Sequence, residues 1–121
     1  MADRDPATTS PDDGEEPSVG DDAENQIAHY LRMLADDDSA NRWKAAESLG
    51  RLKDPRGTDP LIDALFDDDF RVRVKAAWAL GSMGDPRALA PLRQLYRMER
   101  PDQREIIDYA IAEINRKMSE Q

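Results

Sequence analysis

Apolar side chains along this chain fall at helical rather than strand spacing. Ile27, Tyr30, Leu31 and Leu34 lie three or four residues apart, which places them on one helical stripe and predicts a first helix over residues 24–35. Val72, Ala76, Ala79, Leu80 and Met83 form a second such stripe within Phe70–Met83, and Ser39–Leu52 reads as its copy. Shorter helices are predicted over residues 57–66 and 88–98, where Pro60 and Pro91 sit in or near the first turn and the lost N–H is tolerated. The last helix is predicted over residues 102–118. Between these segments stand Asp54-Pro55-Arg56 and Asp85-Pro86-Arg87, in which the aspartate can accept backbone N–H bonds and the proline fixes φ for a new start. Gly84 can close the preceding helix in the left-handed conformation, whereas Lys53 holds the equivalent place in the first copy.

The helices are copies of one unit. Arg42, Ala45-Ala46, Leu49-Gly50, Asp54-Pro55-Arg56 and Pro60-Leu61 return 31 residues later as Arg73, Ala76-Ala77, Leu80-Gly81, Asp85-Pro86-Arg87 and Pro91-Leu92. A period of this length marks a stacked repeat, whose units bury their apolar faces against one another. The fold class expected is therefore all-α: a short solenoid of antiparallel helix pairs with about six helices, opening on half a repeat. Gly50 and Gly81 interrupt helical patterns at up to ~1 kcal/mol each relative to Ala, and their recurrence argues for close approach of neighbouring helices. In the last helix Ile107, Ile111 and Ala112 replace Ala76, Leu80 and Gly81, as befits a terminal cap. Its isoleucines suggest an apolar end, and a homodimer through Ile107, Ile111 and Ile114 is expected.

Charge divides the chain in two. Residues 1–24 hold nine acidic groups and one Arg, whereas the remainder is almost balanced within an overall charge of -9. Residues 1–23, rich in Asp, Glu, Pro and Ser, cannot bury enough surface to offset their ordering entropy and read as a disordered acidic tail before a repeat domain over residues 24–118. With no cysteine, neither a disulfide framework nor a thiolate metal site can form. The first 23 residues lack the apolar run of a signal peptide, and no stretch approaches the ~20 apolar residues of a membrane span. A cytoplasmic protein without membrane contact is expected.

The unit Asp, Arg-x-x-Ala-Ala-x-x-Leu-Gly, Asp-Pro-Arg and Pro-Leu resembles the HEAT-like repeats first noted in phycobilin lyases, over about residues 24–118. The resemblance implies helix pairs stacked into a right-handed superhelix, with the helices that carry Arg-x-x-Ala-Ala lining the concave side. It also implies a structural ladder of Asp37 or Asp38 with Arg42, Asp68 or Asp69 with Arg73, and Arg104 in the last unit. Each arginine can pair with its own acid or with that of the next repeat. Glu99 and Arg100 replace Asp68 and Asp69 at the third rung.

Catalytic chemistry finds little purchase. The wider family includes iron-dependent hydroxylases whose metal is held by His-Glu pairs, but His29 is the one histidine here and Tyr30 follows it. A multi-histidine zinc site is excluded for the same reason. The triplets Asp36-Asp37-Asp38 and Asp67-Asp68-Asp69 lack the alternating acids, central Gly and closing Glu of a calcium loop, and read as helix starts. No cofactor or metal is expected. Arg71, Arg73 and Lys75, and again Arg93, Arg97, Arg100 and Arg104, could neutralise phosphates, but acids are interleaved with them and nucleic acid is not the partner expected.

What remains is a set of aromatic residues at positions the repeat does not dictate. Trp43 corresponds to Val74 and Glu105, and Trp78 to Glu47 and Tyr109. Large aromatic residues anchor interfaces, so Trp43, Glu47, Val74, Trp78 and Tyr109 form the candidate partner-binding patch. Packing of either tryptophan between repeats is the competing reading. The function expected is a non-catalytic module or scaffold that binds an unidentified protein through its concave face. The alternatives are an accessory subunit related to phycobilin lyases and a nucleic-acid-binding HEAT-like protein.

Overall fold

A computed structural model of the chain describes residues 19–120. Six α-helices follow one another: α1 (Val19–Leu34), α2 (Ser39–Leu52), α3 (Thr58–Ala64), α4 (Phe70–Met83), α5 (Leu89–Met98) and α6 (Glu105–Ser119). Single 3-10 turns at Pro55–Gly57, Pro86–Ala88 and Pro101–Gln103 precede α3, α5 and α6. The expected bounds of α2 and α4 coincide with those observed. The first helix begins five residues before the expected start, drawing Val19 to Ala23 out of the segment assigned to the tail. The disorder expected of residues 1–18 concerns positions outside those described. The last helix starts at Glu105 rather than at 102, because Pro101 opens a 3-10 turn first.

Consecutive helices pair as α1 with α2, α3 with α4 and α5 with α6, and the pairs stack. The layers on the two sides of the stack are unequal: α2, α4 and α6 pack along their length, while α1 and α3 touch only sparsely. The closer spacing makes the α2–α4–α6 layer the inner side of a short α-solenoid. Between the layers lies one core of Leu49, Leu61, Leu65, Leu80, Leu92 and Leu95, joined by Val72, Ile107 and Ile114.

Small residues set the inner spacing. Ala45, Ala46, Ala76, Ala77, Ala79 and Ala110 are fully buried. A Cβ at Gly50 would stand 2.8 Å from the Ala79 Cα and 2.8 Å from Cζ3 of Trp78, and one at Gly81 would stand 2.8 Å from the Ala110 Cα. These are backbone approaches that only glycine permits. In α6 the equivalent Ala112 is exposed.

The helix ends are closed by local bonds. Gly84 adopts φ 71° and donates its N–H to the Leu80 carbonyl, and Lys53 adopts φ 54° to donate likewise to Leu49. The two copies thus use one turn, although only Gly84 avoids the steric cost of the left-handed region. Lys117 reaches from α6 to the C-terminus of α4, its Nζ 2.6 Å from the Ser82 carbonyl, which places a cation at the negative end of that helix.

The expected pairing surface on α6 is not available. Ile107 and Ile114 are buried against the core and Ile111 is half-buried against it; Ile107 fills space that Ala76 leaves in the repeat before. Glu105, Asp108, Asn115 and Arg116 are exposed instead, so Ile107 and Ile114 offer no apolar surface to a second copy.

Two substitutions separate seam packing from turn strain. Gly81→Ala should lower stability in urea denaturation by about 1 kcal/mol, since overpacking against the α6 backbone outweighs the gain in helix propensity. Lys53→Gly should raise it by about 1 kcal/mol by relieving the left-handed turn.

Candidate interaction face of the inner helix layer

The inner layer is held in register by arginines that cross from one repeat to the next. Arg42 Nε lies 2.8 Å from Asp67 Oδ2 and its Nη2 3.2 Å from Asp68 Oδ1, while Nη1 donates to the carbonyls of Asp36 and Asp37. Arg73 repeats the arrangement, with Nε 2.7 Å from Glu99 Oε2 and Nη1 2.7 Å from the Asp67 carbonyl. Glu99 stands one position later in the repeat than Asp67, and its longer side chain covers the difference. Among the described residues Arg104 pairs with no acid; its guanidinium lies 4.7 Å from the Tyr96 ring centre and Nε donates to the Glu99 carbonyl. Asp38 and Asp69 serve otherwise than as partners of Arg42 and Arg73: their carboxylates accept the N–H of Ala40 and of Arg71 and cap α2 and α4.

The same capping geometry recurs at every Asp-Pro-Arg. Asp54 accepts the Arg56 N–H at 2.9 Å and pairs with its guanidinium at 2.7 Å, and Asp85 does so with Arg87. These bonds, from the Arg56 side chain first and then its amide, pull the Asp54 carboxyl down from 3.8 to about 2. The Arg71 side chain, helped by Ser39 and the Arg71 amide, depresses Asp69 still further, and Arg87 lowers Asp85. At Asp67 burial opposes ionisation, but the Arg42 hydrogen bond and the Asp69 amide outweigh it and the carboxyl is lowered.

On this framework the five expected patch residues share one face. Trp43 and Glu47 come from α2, Val74 and Trp78 from α4, and Tyr109 from α6. Lys75 draws three of them together: its Nζ lies 5.5 Å from the Trp43 ring centre, 5.8 Å from that of Trp78 and 3.5 Å from Glu47 Oε1. Glu47 is held in turn by Arg51 at 2.6 Å. Neither tryptophan is fully buried or fully exposed; Trp78 lies across Gly50 while both rings border on the core. Packing and exposure are thus combined in each ring. Tyr109 is 44% exposed.

Two open grooves meet at Val74. One, of about 220 Å³, is lined by Trp43, Phe70, Arg71, Val74 and Lys75. The other, of about 450 Å³, is lined by Val74, Asp102, Gln103, Glu105, Ile106 and Tyr109. Phe70, Arg71 and Lys75 complete a surface that variation between repeats did not single out. Phe70 is 48% exposed at the first position of α4, and its equivalent Ser39 in the preceding repeat was a signal of the same kind as Trp43 and Val74.

Other readings meet the geometry as follows. His29 is exposed on α1, its ring 5.2 Å from that of Tyr30. Among the described residues, no group of three or more His, Cys, Asp or Glu is arranged to hold a metal ion. No described helix is long and apolar enough to cross a membrane. Arg71, Arg73 and Lys75 are each engaged by an acid of the chain, Asp69, Glu99 and Glu47.

The architecture is that of a short α-solenoid. The family model for HEAT repeats matches residues 27–112, and the chain belongs to that family. No curated protein matches it. HEAT repeats commonly mediate protein–protein interaction and are typically non-catalytic.

The lowered carboxyl groups set the acid limb of stability. A group whose pKa in the fold lies below its unfolded value stabilises fully above the unfolded value, and the contribution is lost as pH falls through the folded one. The urea midpoint should therefore hold steady from neutral pH to about 4 and fall steeply between about pH 4 and 2. Asp54→Asn should flatten part of that slope.

Proposed function

We propose that this protein is a non-catalytic interaction module that seats a segment of a protein partner on the inner face of α2, α4 and α6. The observation that carries the reading is the pair of grooves joined at Val74, walled by Trp43, Phe70 and Tyr109. Aromatic side chains at such positions supply large contact area for little loss of conformational entropy, and they dominate the energetics of interfaces. The repeat itself makes the seam and the core from other positions, so the face is not required for stacking. A nucleic-acid partner is disfavoured because Arg71, Arg73 and Lys75, the cationic cluster of α4, are each already paired with an acid of the chain. No observation favours lyase-like chemistry over simple binding.

The test uses the two aromatic residues most exposed on this face. Phe70→Ser with Tyr109→Ser should leave helicity by circular dichroism unchanged, because neither side chain belongs to the core. In affinity capture from the source cell extract, the folded double variant should lose a partner that the unaltered chain retains, with affinity down about 30-fold or more. Capture of the same proteins in the same amounts by both would overturn the reading.

A further inference from the structure

The two grooves differ in charge, and the difference specifies the chemistry of what they hold; the inference rests on the inner-face reading above. In the smaller groove the cationic heads are spoken for. Arg71 Nη2 lies 3.0 Å from Asp69 Oδ2 and Lys75 Nζ 3.5 Å from Glu47 Oε1, so the two contribute mainly their aliphatic stems beside Trp43, Phe70 and Val74. The trough is neutral and apolar. In the larger groove Val74, Ile106 and Tyr109 form an apolar floor beneath a rim of Asp102, Gln103 and Glu105. Among the described residues Glu105 makes no ion pair, and Asp102 makes only a 3.7 Å contact with Arg100. The carboxylate of Glu105, which has no ion-pair partner among the described residues, and that of Asp102, held only by exposed Arg100, therefore adjoin an apolar trough across a single shared residue.

We propose that the segment seated here carries an apolar anchor side chain, which fills the groove at Trp43 and Phe70. A few residues away it carries an arginine or lysine, whose cation lies in the second groove against Asp102, Glu105 and Tyr109. The aromatic ring and the two carboxylates attract a cation together, and the rim repels an acidic segment.

The chain reports on its own occupancy. Its two tryptophans, Trp43 and Trp78, both lie on this face, so intrinsic tryptophan fluorescence reads the site directly. The probe is a displayed library of random tryptophan-free peptides of about twelve residues, long enough to cross both grooves at ~3.3 Å per extended residue. It is selected on the full-length protein, and individual binders are then titrated by fluorescence. Selected peptides should share an apolar residue with Arg or Lys within about four positions and should shift the tryptophan emission. Asp102→Asn with Glu105→Gln should weaken them roughly tenfold, and added salt should weaken them as well. Binders that shift the emission but are acidic or uncharged, or that bind the charge variant equally well, overturn the cationic assignment and leave the inner-face reading standing. Failure to select any peptide that alters the emission overturns both.

Discussion

Everything in this molecule depends on how closely α2, α4 and α6 can approach. Gly50 against Ala79 and Gly81 against Ala110 bring backbones to a distance at which a single added methyl would collide with a Cα. A seam that tight admits no large side chain, so bulk is displaced to either side of it. On one side Leu49, Leu80 and Ile107 drop into the core between the layers. On the other, the rings of Trp43 and Trp78 fold over the seam, and Trp78 covers Gly50. The inner face is therefore a product of the packing, since a Cβ at position 50 would stand 2.8 Å from Cζ3 of Trp78 one helix away.

The arginines convert stacking into register. Each seam of small residues would tolerate sliding, because alanine faces offer few knobs to lock a neighbour. Arg42 and Arg73 each bind an acid of the next repeat and a carbonyl of a loop before their own or the neighbouring helix, which fixes both ends of the contact. Partly buried bidentate pairs of this kind set orientation more than net stability. Where the array ends, the device changes: Arg104 settles on Tyr96, and the outward face of α6 is charged rather than apolar.

Much of this was legible in the sequence because a repeat supplies its own control. The 31-residue step fixed the bounds of α2 and α4 and the equivalence of Lys53 with Gly84, and the structure shows that equivalence to be a shared left-handed turn. The isoleucines of α6 misled because periodicity identifies an apolar stripe but not what covers it. Two neighbours cover it, α4 and α5, and Ile107 and Ile114 go to them. Of the acids offered for the ladder, Asp37 or Asp38 with Arg42, Asp68 or Asp69 with Arg73, or that of the next repeat, Arg42 takes Asp68 of the next repeat together with Asp67, whereas Asp38 and Asp69 do not pair with their arginines. Capping claims them first, since an unsatisfied N–H at a helix start is closer than any guanidinium. Phe70 escaped notice because it opens a helix, where side chains are seldom assigned to a face.

Read by register, the inner face has a direction. One row runs Trp43, Val74, Glu105 across the three helices, from aromatic through aliphatic to acid; the adjacent row runs Glu47, Trp78, Tyr109, from acid to aromatic. Between them Lys75 holds the centre, where the preceding repeat has Lys44 and the following one Ile106. Glu47 and Lys75 neutralise one another, so the acid of the second row is silent while that of the first row, Glu105, is not. Stacking identical units would give rows of identical residues and a face without polarity. Divergence at two register positions, in a repeat whose seam and ladder hold to pattern, is how three helices come to carry an apolar end and an acidic end on one face.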